Sequence, residues 1–303
     1  MTPDFRMTQP TSEPAFADLA AALAEKTALI ETLQQEIEET NRGVMALYAE
    51  LDVQAQALRE ATDLKSRFLA YMSHEFRTPI SSIRSLARLL IDRVDGPLTD
   101  EQEKQVRFIQ STSAEFSEMV DDLLDLAKVE AGRIEISPEW FEMVDLFSAL
   151  RGMFKPVLTN PDVSLVFEEP KDTSPLYNDD KKLSQILRNF VSNALKFTLH
   201  GEVRVSAVQK SPDSMTFAVS DTGIGIAKEF HEAIFHDFTQ IDSTIQKRLR
   251  GSGLGLSLSK RLAELLGGTV ALDSEPGRGS TFYVTVPLRL EEGRGKASGG
   301  SEG

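Results

Sequence analysis

The sequence predicts a multi-domain protein of α and α+β class, and three patterns along the chain support this prediction. A heptad repeat of apolar residues covers residues 15–62, and two more helices with apolar faces follow in 63–132. Between residues 133 and 290, short strands alternate with helices. This order predicts an N-terminal coiled coil, then a helical hairpin that forms a four-helix bundle from two copies, and a C-terminal α/β two-layer sandwich.

The composition excludes several classes of protein. The chain has 303 residues and a net charge of −14, which disfavours a surface for nucleic acid or for an anionic membrane. Its apolar runs are far shorter than the roughly 20 residues that span a bilayer, and its N-terminus lacks a signal-peptide pattern. We therefore expect a cytoplasmic protein without membrane insertion. The chain has no cysteine, which excludes disulfides and thiolate metal sites.

The coiled-coil prediction depends on a seam that follows residues 1–14, a Pro- and Thr-rich stretch that we expect to be disordered. Apolar residues recur every seven positions over about six repeats, although several of the intervening positions are polar. A rod that only dimerises and a rod that transmits a signal from an upstream sensor partner both fit this pattern. The heptad positions are Phe16, Leu23, Ile30, Ile37, Val44, Leu51 and Leu58.

The hairpin prediction depends on a new apolar stripe that begins near residue 64. His74 lies off this stripe, so we predict that its imidazole faces away from the core. The sequence DRVDGPLTDEQ ends the first helix, and Thr99 with Gln102 forms a capping box for the second. Two such helices have too little core alone, which favours a homodimer. The stripe comprises Met72, Phe76, Pro79, Ile83, Leu86 and Leu90; the second helix carries Val106, Ile109, Phe116, Val120, Leu123 and Ala127.

The third module is predicted from mixed periodicity. Its strands mostly join through short turns, which favours antiparallel hairpins over a doubly wound parallel sheet. Residues 291–303 are rich in Gly and Ser and are expected to be flexible. The predicted strands are VSLVFEE, GEVRVSAVQ, SMTFAVSD, GTVALDSE and STFYVTVPL, and the predicted helices lie near 145–158, 179–198, 227–235 and 254–267.

Three glycine clusters in this module, DTGIGI, GSGLGL and GRGS, point to a phosphate-binding loop. A plain turn explains any single cluster equally well. The sequence has neither the P-loop pattern nor the dinucleotide fingerprint. Asn189 and Asn193 share one helix face and are followed by Lys196, a set that suits Mg²⁺ with a triphosphate. Solvated polar residues on a helix are the alternative explanation.

Six motifs occur in the order and approximate spacing of one known family. They are SHEFRTP, NFVSNALKFT, DTGIGI, IFHDFTQ, GSGLGLSLSKRL and GRGSTF. On these motifs residues 63–290 resemble the sensor histidine kinases of two-component systems. The resemblance implies a dimerisation and histidine phosphotransfer hairpin at 63–132, and a catalytic ATP-binding domain of the Bergerat, or GHKL, fold at 133–290.

The resemblance also implies an activity and its partners. A homodimer would use ATP and Mg²⁺ to phosphorylate its own histidine, and would then pass the phosphoryl group to an aspartate in the receiver domain of a response regulator. No receiver-like segment follows Leu290, so we expect that regulator to be a separate protein.

By this resemblance His74 is the phosphoacceptor, and Glu75 fixes the imidazole tautomer and takes up its proton. Thr78 matches a pattern that the family links to dephosphorylation of the regulator, although a hydroxyl bonded to the helix backbone is the alternative. Pro79 lacks an N–H group, which frees the carbonyl of Glu75 and predicts a bend beside the histidine.

In the ATP-binding domain the resemblance assigns adenine recognition to Asp221, with Gly223 and Gly225 around the base. It assigns the Mg²⁺ to Asn193, and it brings Asn189 and Lys196 near the phosphates.

The lid of this site is implied at residues 239–250. The resemblance makes Phe235 and Phe238 its framing aromatics, although core packing explains both equally well. Many relatives carry a lid arginine where this sequence has Gln240, which leaves Lys247, Arg248 or Arg250 as substitutes. Further nucleotide contacts are implied for Gly251, Gly253, Gly255 and Thr281.

Three interpretations stay open at this point. The first is a histidine kinase, the second a kinase that acts chiefly as a phosphatase of its regulator, and the third a non-kinase GHKL ATPase or a nucleotide-switched adaptor. His74 discriminates between them, because GHKL chaperones and mismatch-repair ATPases need no phosphoacceptor. His200, His231 and His236 fit no ligand spacing, and we expect them to be ordinary surface or loop residues.

Overall fold

The structure, a computed structural model, describes residues 13–156, 158, 160–168, 174–240 and 252–291. The chain divides into two units between Thr62 and Asp63. Helix α1, Glu13–Ile91, supplies all of the described residues of the first unit and enters the second. Its heptad positions from Leu23 to Leu58 are between 42% and 69% exposed. The seam that predicts a coiled coil therefore faces solvent in the single chain.

The second unit begins with a helical hairpin made of the last part of α1 and helix α2, Asp100–Glu130. The predicted capping box at the start of α2 is confirmed. The Thr99 hydroxyl accepts from the Gln102 N–H at 3.3 Å, and the Gln102 side chain accepts from the Thr99 N–H at 2.9 Å. The helix ends at Glu130, and Gly132 follows with a φ of +64°. Such a left-handed residue after the last turn is the usual stop signal of a helix.

The residues of the hairpin that pack within the chain differ from the predicted stripe. Among the α1 side chains that the structure describes, the buried ones are Ser73, Ile80 and Ala87, which are spaced by seven residues. The stripe residues Phe76, Ile83, Leu86 and Leu90 stay 38–61% exposed. A helix in a hairpin has only one neighbour, so a single line of side chains becomes buried. The predicted stripe therefore lies mostly outside the interface between α1 and α2 of one chain, although the Phe76 ring lies 6.0 Å from that of Phe116 in α2.

The rest of the second unit is a sheet covered by helices. Five strands lie in the order β2-β4-β5-β7-β6; β2 pairs in parallel with β4, and the other pairs are antiparallel. Every second residue of the central strands β5 and β7 points to a buried face, as strand geometry requires. The strands are β2 Val163–Phe167, β4 Gly201–Ser211, β5 Ser214–Asp221, β6 Thr269–Glu275 and β7 Gly279–Pro287.

Three helices cover the buried face of this sheet: α3 Met143–Phe154, α4 Asp180–Phe197 and α5 Gly255–Leu265. Asp179 caps α4, because its carboxylate accepts from the Lys182 N–H at 2.9 Å. The apolar face of α4 is fully buried, and the Phe190 ring lies 5.3 Å from that of Phe282 in β7. The fold class predicted from the sequence, a helical region followed by an α/β sheet domain, is confirmed.

Several predicted elements differ from the structure. The parallel pair β2–β4 is an exception to the prediction that the strands mostly join as antiparallel hairpins, and two short strands were not predicted. These are β1 Glu139–Phe141 and β3 Leu176–Asn178, which pair with each other. Three residues are too few to show a periodic pattern. The helix predicted at 227–235 is two 3₁₀ turns, Lys228–Phe230 and Ala233–Phe235, in which only Ile234 is buried, so no continuous apolar face supports a longer helix.

Candidate functional site

His74 lies on the exposed side of α1, next to an acidic residue. Its side chain is 78% exposed, as its position off the apolar stripe predicts, and its Nδ1 lies 3.9 Å from Oε1 of Glu75. Thr78, one turn further on, is also exposed. These three residues share an accessible face because the neighbouring Ser73 and Ile80 pack toward α2. An imidazole in this position is open to a second reactant.

Pro79 follows this group inside the helix. A proline has no N–H, so the carbonyl of Glu75 loses its usual partner four residues ahead. The helix nevertheless continues to Ile91, and the Ser82 hydroxyl donates to the carbonyl of Thr78 at 3.1 Å. The backbone beside His74 is thus locally weakened without being broken.

Asp221 ends β5 and is buried in the sheet domain. Its Oδ1 accepts from the Gly223 N–H at 2.8 Å, and the backbone N–H of Ser280 also bonds to the carboxylate. Burial raises the pKa of Asp221, and these two N–H groups partly offset the rise. A carboxylate held this way can still accept a hydrogen bond from a ligand.

The loop after Asp221 requires glycine at two positions. A Cβ on Gly223 would lie 2.5 Å from the carbonyl oxygen of Phe197. Gly225 has a φ of +67°, and a Cβ there would lie 2.1 Å from the carbonyl oxygen of Glu275. This loop is therefore held close against the end of α4 and the β6–β7 turn. The approach leaves no room for side chains, which is the geometry of a backbone cradle.

A chain of hydrogen bonds links the polar face of α4 to α5. The Nδ2 of Asn193 donates to the Oδ1 of Asn189 at 3.3 Å, and the Nδ2 of Asn189 donates to the Oγ of Ser259 at 2.8 Å. Gly255 begins α5 against the same amide, since a Cβ there would lie 2.4 Å from the Asn189 Oδ1. The structure thus brings together Asn189, Asn193 and Gly255.

Lys196 lies one turn after Asn193, and its ammonium group is 5.6 Å from the centre of the Phe197 ring. Burial lowers the pKa of Lys196, while the carboxylates of Glu115 and Glu118 in α2 act in the opposite direction. A partly desolvated ammonium group attracts an anion more strongly than a solvated one does. Lys196 therefore lies half-buried at the end of α4, with acidic residues of α2 nearby.

The two ends of the predicted lid meet at Phe238 and Gly253. The Phe238 N–H donates to the carbonyl of Gly253 at 3.1 Å, and both residues have positive φ, +60° and +70°. Phe235 packs against the core, whereas Phe238 is exposed. Gln240 is exposed and is the last described residue at the N-terminal end of the lid. Lys247, Arg248, Arg250 and Gly251 lie outside the described residues.

Thr281 is not brought together with these residues. Its hydroxyl lies 2.8 Å from that of Ser220 on the outer face of the sheet, opposite to the face of Asp221. Ser280, which the sequence analysis did not select, bonds to Asp221 through its N–H and lies 2.9 Å from Ser274 through its hydroxyl. The alternation of side chains along a strand could have indicated Ser280 from the sequence, because Ser280 and the buried Phe282 share one face of the strand.

Two of the other histidines have polar neighbours within the chain. His200 lies 3.4 Å from Asp162, and the ring of His231 bonds to the carbonyl of Ile226 at 3.1 Å. Among the described residues, no three His, Asp or Glu side chains converge to hold a metal ion. Within the same residues, no helix is long and apolar enough to cross a membrane.

The hairpin and the sheet domain touch through charged side chains. Glu130 at the end of α2 binds Lys65 of α1 at 2.8 Å and Arg261 of α5 at 2.9 Å. The hydrogen bond from Lys65, followed by that from Arg261, lowers the pKa of Glu130 against the opposing effect of burial. The amide of Gln185 in α4 donates to Asp125 of α2 at 2.9 Å. The contact therefore combines these polar pairs with apolar packing, since Val129 of α2 also packs against the core of the sheet domain.

Two family models match this chain. Residues 64–132 match the His Kinase A (phospho-acceptor) domain, and residues 178–290 match the histidine kinase-, DNA gyrase B-, and HSP90-like ATPases. Together the two matches cover more than half of the chain. His74 falls in the first, and the residues around Asp221 and Asn193 fall in the second.

Curated relatives and solved structures show the same similarity. The autoinducer 2 sensor kinase/phosphatase LuxQ of Vibrio harveyi is 37% identical over 245 residues, which is 78% of this chain and 28% of that protein. The sensor histidine kinase GacS of Pseudomonas protegens is 36% identical over 244 residues, with shares of 79% and 26%. The chain thus spans about a quarter of the length of these relatives.

Among solved structures, full-length ShkA in complex with AMPPNP is similar at a TM-score of 0.60 and 32% identity, covering 72% of this chain and 45% of that one. The AdeS histidine kinase of Acinetobacter baumannii has the same fold at a TM-score of 0.50 and 22% identity, covering 71% of this chain and 98% of that one. With both of its modules matched by family models, this chain belongs to the sensor histidine kinases.

Proposed function

We propose that this protein is an ATP-dependent protein-histidine kinase that phosphorylates its own His74 and then transfers the phosphoryl group to an aspartate of a response regulator. One observation carries the proposal: a single chain combines an exposed histidine on a helix with a domain whose glycine cradle, buried Asp221 and Asn189–Asn193 pair fit an adenine nucleotide. The combination is informative because an exposed histidine does not require a nucleotide site, and a nucleotide site does not require an exposed histidine.

The phosphoryl step follows from the position of Glu75. The Nε2 lone pair of neutral His74 attacks the γ-phosphorus of ATP, the bond from that phosphorus to the β–γ bridging oxygen breaks, and ADP leaves. The phosphorylated ring then gives up its Nδ1 proton. Glu75 would accept it after a side-chain movement that shortens the 3.9 Å between its Oε1 and that nitrogen to hydrogen-bond distance.

The nucleotide site divides its work among residues of α4, the glycine-rich loop and α5. Asp221 would accept from the exocyclic amine of adenine, with Gly223 and Gly225 around the base. Lys196 and Asn189 would lie near the phosphates, with Phe238, Gly251, Gly253 and Gly255 at the lid. Asn193 would hold the Mg²⁺, which supplies charge neutralisation at the phosphates when bound. The role of Gly251 is proposed from its sequence motif alone.

The assembly we propose is a homodimer. The phosphoacceptor domain implies dimerisation, and the exposed stripe of α1 supplies an apolar face for a second copy. The seam of residues 15–62 would continue the dimer as a coiled coil and receive a signal from an upstream sensor partner. The cytoplasm, where ATP and response regulators occur, is the proposed location.

Incubation with γ-labelled ATP and Mg²⁺ tests the kinase. We expect acid-labile, alkali-stable label on the wild-type protein. His74→Gln should carry no label, because His74 is the proposed acceptor. His200→Gln is the matched control and should label normally. Equal labelling of His74→Gln and wild type would overturn the assignment. ATP hydrolysis without labelling would favour a non-kinase GHKL ATPase.

A second activity is favoured by the position of Thr78. This residue is exposed one turn after His74, and LuxQ, a relative, is described as a kinase/phosphatase. A threonine hydroxyl there would orient the water that attacks an aspartyl phosphate on the bound regulator. Thr78→Ala should then slow loss of label from a phosphorylated regulator while leaving His74 labelling intact. An unchanged rate of label loss would contradict the phosphatase role of Thr78 and leave only the kinase activity proposed.

A further inference from the structure

Ser259 lies in α5 and forms a hydrogen bond with the polar face of α4. Its side chain is buried at 2% exposure, yet it contacts neither the glycine-rich loop nor His74 among the described residues. Its hydroxyl accepts the Nδ2 hydrogen of Asn189, 70 residues earlier in the chain. Asn189 in turn accepts from Asn193. The three side chains therefore form one directed chain of hydrogen bonds from α5 to the proposed Mg²⁺ ligand.

The direction of this chain decides which atom Asn193 presents. The two ends of an amide have similar shapes but opposite hydrogen-bonding character, since the oxygen accepts and the nitrogen donates. With Asn189 donating to Ser259, its oxygen is turned toward Asn193 and binds the Nδ2 of that residue. Asn193 then has its Oδ1 directed to the remaining side. Magnesium takes oxygen ligands, so this is the useful orientation.

Without the hydrogen bond to Ser259, the Asn189 amide loses the contact that holds it in this orientation. Rotation of the Asn189 amide by half a turn would point its nitrogen at Asn193, and Asn193 would have to accept with its oxygen. Its Nδ2 would then face the cation, which repels it. Gly255 leaves space for either end of the Asn189 amide only because it has no side chain. Gly255 therefore limits where the amide lies, and the hydrogen bond to Ser259 holds it in the observed orientation.

We propose that Ser259 is a positioning residue that orients the Asn189–Asn193 pair so that Asn193 offers an oxygen to Mg²⁺. This inference rests on the proposed function, because it takes Asn193 as the Mg²⁺ ligand. It adds a residue outside the nucleotide contacts that sets how strongly the metal-bound nucleotide is held. Groups that orient a metal ligand typically change metal affinity by about 10–100-fold when they are removed.

The test compares binding of ADP to the full chain with and without Mg²⁺, by calorimetry. Ser259→Ala should weaken binding of Mg²⁺–ADP by about tenfold, at the lower end of the range for such groups, and leave binding of ADP in EDTA within about twofold. The half-saturating Mg²⁺ concentration should rise by the same factor. Equal weakening in both conditions would show a merely structural role and overturn the proposal, as would no change in either.

Ser257 supplies a matched control in the same helix. It is equally buried at 2%, but its hydroxyl donates to the carbonyl of Leu254 at 2.9 Å instead of meeting Asn189. Ser257→Ala removes the same group and should leave the Mg²⁺ dependence of ADP binding unchanged. If both variants lose Mg²⁺–ADP affinity alike, general loosening of α5 explains the effect and the proposal fails.

A double-mutant cycle tests whether Ser259 acts through Asn189. In an Asn189→Ala background, Ser259→Ala should have no further effect on Mg²⁺–ADP affinity, because the link to Asn193 is already broken. Additive losses would contradict the proposed chain. These readouts do not depend on phosphoryl transfer: absence of label on His74 overturns the kinase, whereas an unchanged Mg²⁺ dependence in Ser259→Ala overturns only this inference.

Discussion

The hairpin and the sheet domain of the second unit differ in how much of their apolar surface is buried within one chain. The sheet domain encloses its core, and side chains such as Phe147, Phe190 and Phe217 are fully buried. The hairpin buries a thin line of small and medium side chains and leaves large apolar residues such as Leu86 exposed. One region is complete as a monomer, and the other has an apolar face that a second copy would cover.

This difference matches the two tasks proposed for the regions. A nucleotide site needs fixed geometry, which a closed core supplies. A phosphoacceptor that must meet an ATP site and then a receiver domain needs accessibility, which an open helical surface supplies. The charged contact through Glu130 and Arg261 connects the regions with groups that water can replace.

The largest effect is expected from the core of the sheet domain. Phe190→Ala should lower the free energy of unfolding by about 3–5 kcal/mol, because a fully buried ring against Phe282 is lost and a cavity remains. Denaturant unfolding followed by circular dichroism measures the change, and sedimentation should still find a dimer. Phe108→Ala, at a 72% exposed position, is the control and should cost less than about 0.5 kcal/mol. Dissociation of the Phe190 variant would contradict the independence of the two regions.

The next effect is expected at the exposed stripe of the hairpin. Leu86→Asp should raise the dimer dissociation constant at least about 30-fold, because a charge would replace an apolar side chain in the proposed dimer interface. Analytical ultracentrifugation measures this, and ADP binding should persist. Ser81→Asp adds the same charge at an exposed position on the opposite side of α1 and should leave the dimer intact. A dimer that tolerates Leu86→Asp would place the interface elsewhere.

A smaller effect is expected from Asp122 in α2, where the two regions meet. Burial raises the pKa of Asp122 to about 6, with help from Glu118, Asp125 and Asp121 and against the opposing charge of Arg188. The folded state therefore holds this proton more tightly than the unfolded state does. Its stability falls as pH rises from about 3.8 to about 6, and the cost is complete above that range.

Asp122→Asn should remove this cost. We expect it to stabilise the protein at pH 8 by up to about 3 kcal/mol, more realistically near 2, and to have little effect at pH 4. Thermal unfolding across this pH range measures the difference. Asp121→Asn, whose carboxylate is half exposed and pairs with Arg77, should show no such gain at high pH. A stabilisation that does not vary with pH would contradict burial of a charge as its cause.

The smallest effect is expected from the charged contact between the regions. Glu130→Gln keeps the shape of the side chain but removes the charge that Lys65 and Arg261 share, and should cost about 0.5–1 kcal/mol. Hydrogen exchange should accelerate at the junction after α2 while the core of the sheet stays protected. Glu275→Gln breaks the more exposed pair with Arg278 and should have a smaller effect. Equal effects would make the Glu130 contact an ordinary surface ion pair.

Much of this molecule is determined by local patterns in its sequence. The capping box at Thr99, the strand SMTFAVSD and the exposure of His74 follow from hydrogen bonds or periodicities within a few residues. The need for glycine at 225 follows equally from its motif. Such features are readable because neighbours in sequence are also neighbours in space.

The rest was decided by packing between distant segments. Only the fold shows that Ser259 meets Asn189, that Ser280 and not Thr281 shares the face of Asp221, and that Ser73, Ile80 and Ala87 form the buried line of the hairpin. The sequence by itself predicted the longer helices and strands and the residue types that the chemistry requires, but not the short strands β1 and β3. The tertiary structure decided which of those residues meet, because a contact across 70 residues depends on the orientation of whole elements and leaves no local period to read.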